Sequence, residues 1–232
     1  MNVTSRRHLD RILIIILISL FSGQRELFAQ KPPGLGYVYP PALQAGKVHE
    51  VALGGYDFTV DMQWFMHDER ITLQTDGLPG DYHIPPPPYW FGPRSGLPAM
   101  PIPREVRGQI AIPAETPEGL VRWQVANANG SSETAVFYVS HSDELIERRS
   151  RDLPQRLESL PVAVSGRLGR LTEVDRYEFI SDRDQIVSLD LMARGLGADM
   201  NPVLEVRDES GTLIANYTDT VGQDAALHFF FR

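Results

Sequence analysis

The sequence predicts an all-β protein of two β-sandwich domains behind an N-terminal export signal. Three observations lead there. Short apolar runs alternate with polar residues at period two and are separated by turn residues every few positions, the pattern of half-buried strands. The 19 glycines and 18 prolines are spread through a chain with no long helical periodicity. A composition 42% hydrophobic and 9% aromatic over 232 residues is enough to fill the cores of two ordinary domains.

Residues 1–29 have the layout of an export signal. Arg6, Arg7 and Arg11 form a basic start, Ile12–Phe21 is an apolar core, and Leu27-Phe28-Ala29 offers a small residue for cleavage. An apolar run of about ten residues is shorter than the roughly 20 a membrane-spanning helix needs, so the expectation is cleavage near Ala29 with no stable membrane span afterwards. Leu27 is larger than a cleavage site prefers, which leaves an uncleaved anchor as the alternative. Location is then secreted, periplasmic or in the cell envelope.

Removing residues 1–29, with four arginines and two acids, takes the formal net charge from −8 to −10. An acidic protein is a poor partner for nucleic acid. Without cysteine there are no disulfides, zinc–thiolate sites, thiol catalysis or thiol-linked lipid, and stability must come from packing.

The first domain is read over 36–140. Strands are expected at Gly36–Tyr39, Lys47–Leu53, Met62–Met66, Arg70–Thr75, Val106–Ile112, Gly119–Asn127 and Thr134–Ser140. Val106, Gly108, Ile110 and Ile112 share one side, and Asn127–Ser132 forms a hairpin loop. About seven short strands suggest an immunoglobulin-like sandwich. The layout is similar to the divergent Ig-like repeats of the IPT/TIG type.

Between the hairpins Ile84–Phe91 sets four prolines beside Tyr89, Trp90 and Phe91. Proline fixes φ and removes donors, so this is an extended loop outside any sheet centre. Its aromatics are the candidate ligand-binding residues, a platform for a sugar or a protein. The competing reading, favoured because large aromatics are mostly buried, has them capping the core.

Residues 141–160 are charged and read as the linker, with a short helical turn fitting Asp143–Arg149 ahead of Pro154. The second domain is read over 161–232, with strands at Val162–Leu168, Asp175–Ile180, Gln185–Ala193, Val203–Asp208, Thr212–Asn216 and Ala225–Phe231. Tyr177, Phe179, Val187, Leu189, Leu191, Leu204 and Val206 are expected to point inward.

The ordered set Gly166-Arg167-Leu168, Val174–Phe179, Ala193–Gly197, Asn201–Leu204, Asp208-x-x-Gly211, Asp219 and Asp224–Leu227 resembles the bacterial pre-peptidase C-terminal domain, in the version found in large secreted proteins of planctomycete-type bacteria. The resemblance covers about Leu160 to Arg232. It implies a jelly-roll-like sandwich that serves secreted peptidases and other exported proteins as a non-catalytic binding module. Family members continue past this point with a Gly-x-Tyr turn and a closing strand. This chain stops at Phe229–Arg232, so the expected sandwich is truncated, with an apolar edge open to strand addition or self-association.

In calcium-binding members the ligands come from the acidic linker and an Asp near the first strand pair. That implies Glu147, Asp152 and Asp175 as the metal set here. The linker departs from the family's Glu-Pro-Asn pattern, since Arg148 and Arg149 follow Glu147 and two cations oppose a third. The expectation is therefore no cofactor, with calcium at those residues as the one alternative.

No G-x-S-x-G elbow, H-E-x-x-H pair or third glycine after Gly195-Leu196-Gly197 is present, and His67-Asp68-Glu69 reads as a turn. No catalytic residue is assigned, and the chain is read as a non-enzyme. The leading expectation is a secreted binding, adhesion or accessory module whose partner is an extracellular polymer or protein. The alternatives are the non-catalytic front part of a larger secreted hydrolase, most plausibly a peptidase, and a purely structural envelope component.

Overall fold

The computed structural model describes residues 31–77, 103–148, 154–169, 173–181, 185–198, 200–218 and 224–230, and there the chain is all-β. The first strands are β1 (Gly34–Tyr39), β2 (Ala42–Gln44), β3 (Val48–Tyr56), β4 (Gln63–Met66), β5 (Thr72–Thr75), β6 (Pro103–Ala111), β7 (Gly119–Asn127), β8 (Gly130–Ser131) and β9 (Ala135–Ser140). They form two sheets, one in the order β1-β3-β6-β5 and the other in the order β2-β9-β7-β4, with β8 hairpinned to β7. Within them only β2 pairs in parallel, with β9; the other ladders are antiparallel.

Alternation decides what lies between the sheets. In β7, Val121, Trp123 and Val125 are buried while Leu120 and Arg122 face out. Val51 and Leu53 of β3, Val106 and Ile110 of β6, and Phe137 and Val139 of β9 meet them. Gly108 and Ile112 lie on that side too, as the alternation predicts. Trp64 of β4 stacks on Trp123 with ring centroids 6.1 Å apart, and Phe58 meets Trp64 edge-on at 5.5 Å. Offset and edge-on aromatic pairs of this kind add to simple burial. This is a β-sandwich.

The chain continues through β10 (Asp143–Ile146), β11 (Gln155–Arg156), β12 (Val162–Ser165), β13 (Tyr177–Glu178), β14 (Ile186–Leu191), a 3-10 turn at Arg194–Leu196, β15 (Val203–Arg207), β16 (Leu213–Thr218) and β17 (Ala225–Phe230). β10 pairs in parallel with β12, and β11 with β13. β14 pairs antiparallel with β17, and β15 with β16. Val187, Val206, Leu227 and Phe229 form a second, smaller buried cluster, backed by Phe179, Leu189, Leu204, Ala215 and Tyr217.

Two local readings are corrected. Asp143–Arg149 does not begin as a helical turn: Asp143–Ile146 is a strand, because Val162–Ser165 lies beside it and supplies a ladder that local propensity could not anticipate. The return strand also runs on from Asn216 through Thr218, since Tyr217 pairs with Leu204 and packs on the buried cluster instead of starting a loop.

Candidate functional site

Tyr89, Trp90, Phe91 and Asp152 lie outside the described residues. The other two sequence candidates, Glu147 and Asp175, are brought together. β10 delivers Glu147, whose N–H donates to the Ser165 carbonyl at 2.9 Å, extending the β10–β12 ladder by one residue. Its Oε2 accepts the Arg167 N–H at 3.0 Å. A Cβ on Gly166 would sit 2.8 Å from that oxygen and 3.2 Å from the Tyr177 hydroxyl, so only glycine allows carboxylate and phenol to approach here.

Asp175, two residues before Tyr177, is hydrogen-bonded to Glu147. Its carboxyl is pushed up to about 6, first by burial, then by the charge and hydrogen bond of Glu147 and the charge of Glu173. Two carboxyls can hydrogen-bond only through a shared proton, which adds to burial in disfavouring the ionised form. The Tyr177 hydroxyl is raised as well, by burial first and then by Glu147.

Arg167 connects this acidic group to the first sandwich. Its guanidinium carbon lies 3.7 Å from the Tyr39 ring centroid and 4.8 Å from that of Tyr37, a cation held over two aromatic faces. Tyr37 donates its hydroxyl proton to Glu105 Oε2 at 2.5 Å. Burial and then Glu105 push Tyr37 up to about 12, with Arg167 opposing. Gly54 leaves the space in which the Tyr37 ring lies. The sequence reading missed Tyr37, Tyr39 and Glu105 as partners, and placed Tyr177 only as an inward strand residue. It held Gly166-Arg167 only as part of an ordered motif, and the signal available was a glycine placed directly before an arginine at a strand end.

Chemically the cluster is an acid-rich seam with one guanidinium held over tyrosine rings, joining β1 and β6 to the strands after β9. Its two carboxyls suit a hard cation, which takes six to eight oxygen ligands. Among the described residues, though, no three acidic or histidine side chains converge on one point. The described residues therefore supply part of a calcium set and no more, and a calorimetric titration showing no heat at millimolar calcium would remove it.

Several other polar side chains hold turns or bridge neighbouring segments. Asp68 binds Arg70 at 2.6 Å and caps its N–H, making the expected turn after His67. Asp208 accepts the N–H groups of Ser210 and Thr212, both at 2.9 Å. His141 Nε2 lies 2.8 Å from the Thr116 carbonyl, and His228 Nδ1 2.8 Å from the Ser188 hydroxyl on an exposed face. Comparison with protein-family models and with curated proteins finds no match.

Proposed function

We propose that the chain is a secreted, non-catalytic binding module of the bacterial cell envelope or exterior, an Ig-like sandwich followed by a pre-peptidase-type jelly-roll sandwich, acting in adhesion or as an accessory to exported proteins. The observation that carries the reading is the strand order of the first sandwich. Numbered along the chain without the short β2 and β8, its strands fall into a first-second-fifth-fourth sheet facing a third-sixth-seventh sheet. That is the order of constant-type immunoglobulin domains, a scaffold that presents its loops at the two ends of the sandwich for recognition. The placement of Glu147, Asp175 and Arg167 supports the second half of the reading, because residues named from the resemblance meet at one seam.

Binding is the activity to test. The purified chain is immobilised and offered insoluble polysaccharides and extracellular peptides, and bound material is analysed by mass. Retention of a polymer or peptide that elutes unchanged is the expected result. Retention of nothing, or release of shortened products, refutes the reading. Export is tested separately by N-terminal sequencing of protein recovered outside the cytoplasm, which should begin near Gln30.

A further inference from the structure

A second polar junction joins the first sandwich to the strands that follow it, away from the carboxyl pair, and it centres on His49 of β3. The ring Nε2 lies 2.8 Å from the Gln44 carbonyl oxygen on β2. Nδ1 lies 3.3 Å from Oε2 of Glu144 on β10, and the two side chains are only 11% and 9% exposed. Both oxygens are acceptors. A neutral imidazole has one N–H, so it satisfies one of them and turns a lone pair on the other; the imidazolium donates to both.

The remaining partners close a circuit. Glu144 Oε1 accepts from the Ser165 hydroxyl at 3.4 Å, and Ser165 Oγ lies 3.4 Å from the Ala42 N–H. Ala42 and Gln44 are the two ends of β2, so one ring of contacts runs β2–β3–β10–β12 and back to β2. It is long at both serine contacts, and the Gln44 carbonyl holds the ring more closely than Glu144 does, so a neutral ring keeps its one N–H on Gln44 and turns its lone pair on Glu144. Few other charges are present. Lys47, beside β3, opposes a second positive charge on His49. Asp143 on β10 is engaged through the Gln44 amide at 3.4 Å. β6 places Ile110 opposite His49, and β12 contributes only the Ser165 hydroxyl.

We propose that His49 is a proton-operated clasp: as imidazolium it fastens β10 and β12 to β2 and β3 of the first sandwich, and as neutral imidazole it lets Glu144 go. Glu144 and the Gln44 carbonyl hold His49 above its ordinary 6.5, against the opposing effects of burial and Lys47. The sign follows. A histidine raised on folding contributes its full stabilisation below about pH 6.5 and loses it as pH rises through its folded-state value. The clasp is closed in mild acid and open in alkali.

The test is a double-mutant cycle in the full chain with His49→Gln, Glu144→Gln and the pair, unfolded in urea at about pH 6 and about pH 9. The expected coupling is about tenfold in the unfolding constant at the lower pH, the scale of a largely buried charge-assisted hydrogen bond, and none at the higher. Equal coupling at both values overturns the proposal. Should a variant fail to fold, the unmodified chain decides through an NMR titration of the His49 ring. A midpoint above 6.5, accompanied by faster exchange of the 143–146 amides on deprotonation, supports the clasp. A midpoint at or below 6.5, or exchange indifferent to the ring's state, overturns it.

Discussion

Asp224→Ala removes one carboxylate that accepts three backbone N–H groups, from Ala193 and Arg194 to Oδ1 at 2.7 Å each and from Gly195 to Oδ2 at 2.8 Å. Asp224 stands directly before β17, and these donors follow the last residue of β14, at the end where Leu191 pairs with Ala225. The carboxylate therefore clamps the closed end of that ladder. Hydrogen bonds to a charged acceptor contribute about 1.5–3 kcal/mol each where water cannot replace them. Ala193 is buried, Arg194 half-buried and Gly195 exposed, so the three bonds count roughly fully, half and scarcely at all. The expected loss is about 3 kcal/mol. Asp224→Asn keeps the Oδ1 position that serves the two protected donors and should cost less than half as much. Urea unfolding followed by far-UV circular dichroism measures both, and amide exchange at 193–195 localises the effect. An asparagine variant as damaging as alanine, or an alanine variant costing under about 1 kcal/mol, would refute the clamp.

Gly54→Ala would drive a methyl into the Tyr37 ring and lift it from Arg167; overpacking of this kind costs about 2 kcal/mol, read as a lower urea midpoint. Asp175 titrates at about 6 in the folded chain against an ordinary 3.8, so its contribution is present below about pH 4 and lost as pH rises through about 6. Asp175→Asn should therefore stabilise the protein at pH 7 by about 1 kcal/mol, after allowing for solvent screening of a half-exposed group, and flatten the stability profile across that window. Phe137→Ala, at a fully buried position, should cost about 4 kcal/mol in thermal or urea unfolding. Phe65→Ala, on the outer face of the same sheet, should stay within about 0.5 kcal/mol.

Much of the fold was legible because it is written locally. The alternation of Val121, Trp123 and Val125, the Asn127–Ser132 hairpin, and the inward Val187, Leu189 and Val206 follow from a period of two and from turn chemistry. β2, β10 and β11 were missed or misread because strands of two to four residues have no period to detect, and their parallel partners are distant in sequence. The site divides in the same way. Glu147 and Asp175 were named from a motif, whereas Arg167 over Tyr37 and Tyr39, and His49 against Glu144, are contacts between segments that nothing local relates. Asp224 and Ala193–Gly195 appeared as separate motif fragments, and only the fold shows one clamping the other.

The two buried clusters differ in size, and that difference gives the polar seam its consequence. Among the described residues fourteen buried side chains form the cluster of the first sandwich, against four in the cluster formed by the strands from β14 onward. A small core stabilises little, so the later strands depend more heavily on what ties them to the first sandwich. Among the described residues, the segments leading into those strands are tied to the first sandwich by His49 to Glu144, Gln44 to Asp143, Ser165 to Ala42, and Arg167 on Tyr37 and Tyr39, and the turn at Arg194–Leu196 also lies against β9. The side-chain ties before β14 are polar or cation–π contacts, and they can part without exposing a large apolar surface to water. Amide exchange should therefore show β14–β17 opening at lower free energy than β3, β6 and β7. The gap should widen as pH rises past the His49 titration, because the smaller core loses support that the larger one does not need. Equal protection in both sets of strands at every pH would mean that the seam couples them fully and that His49 carries no particular share of it.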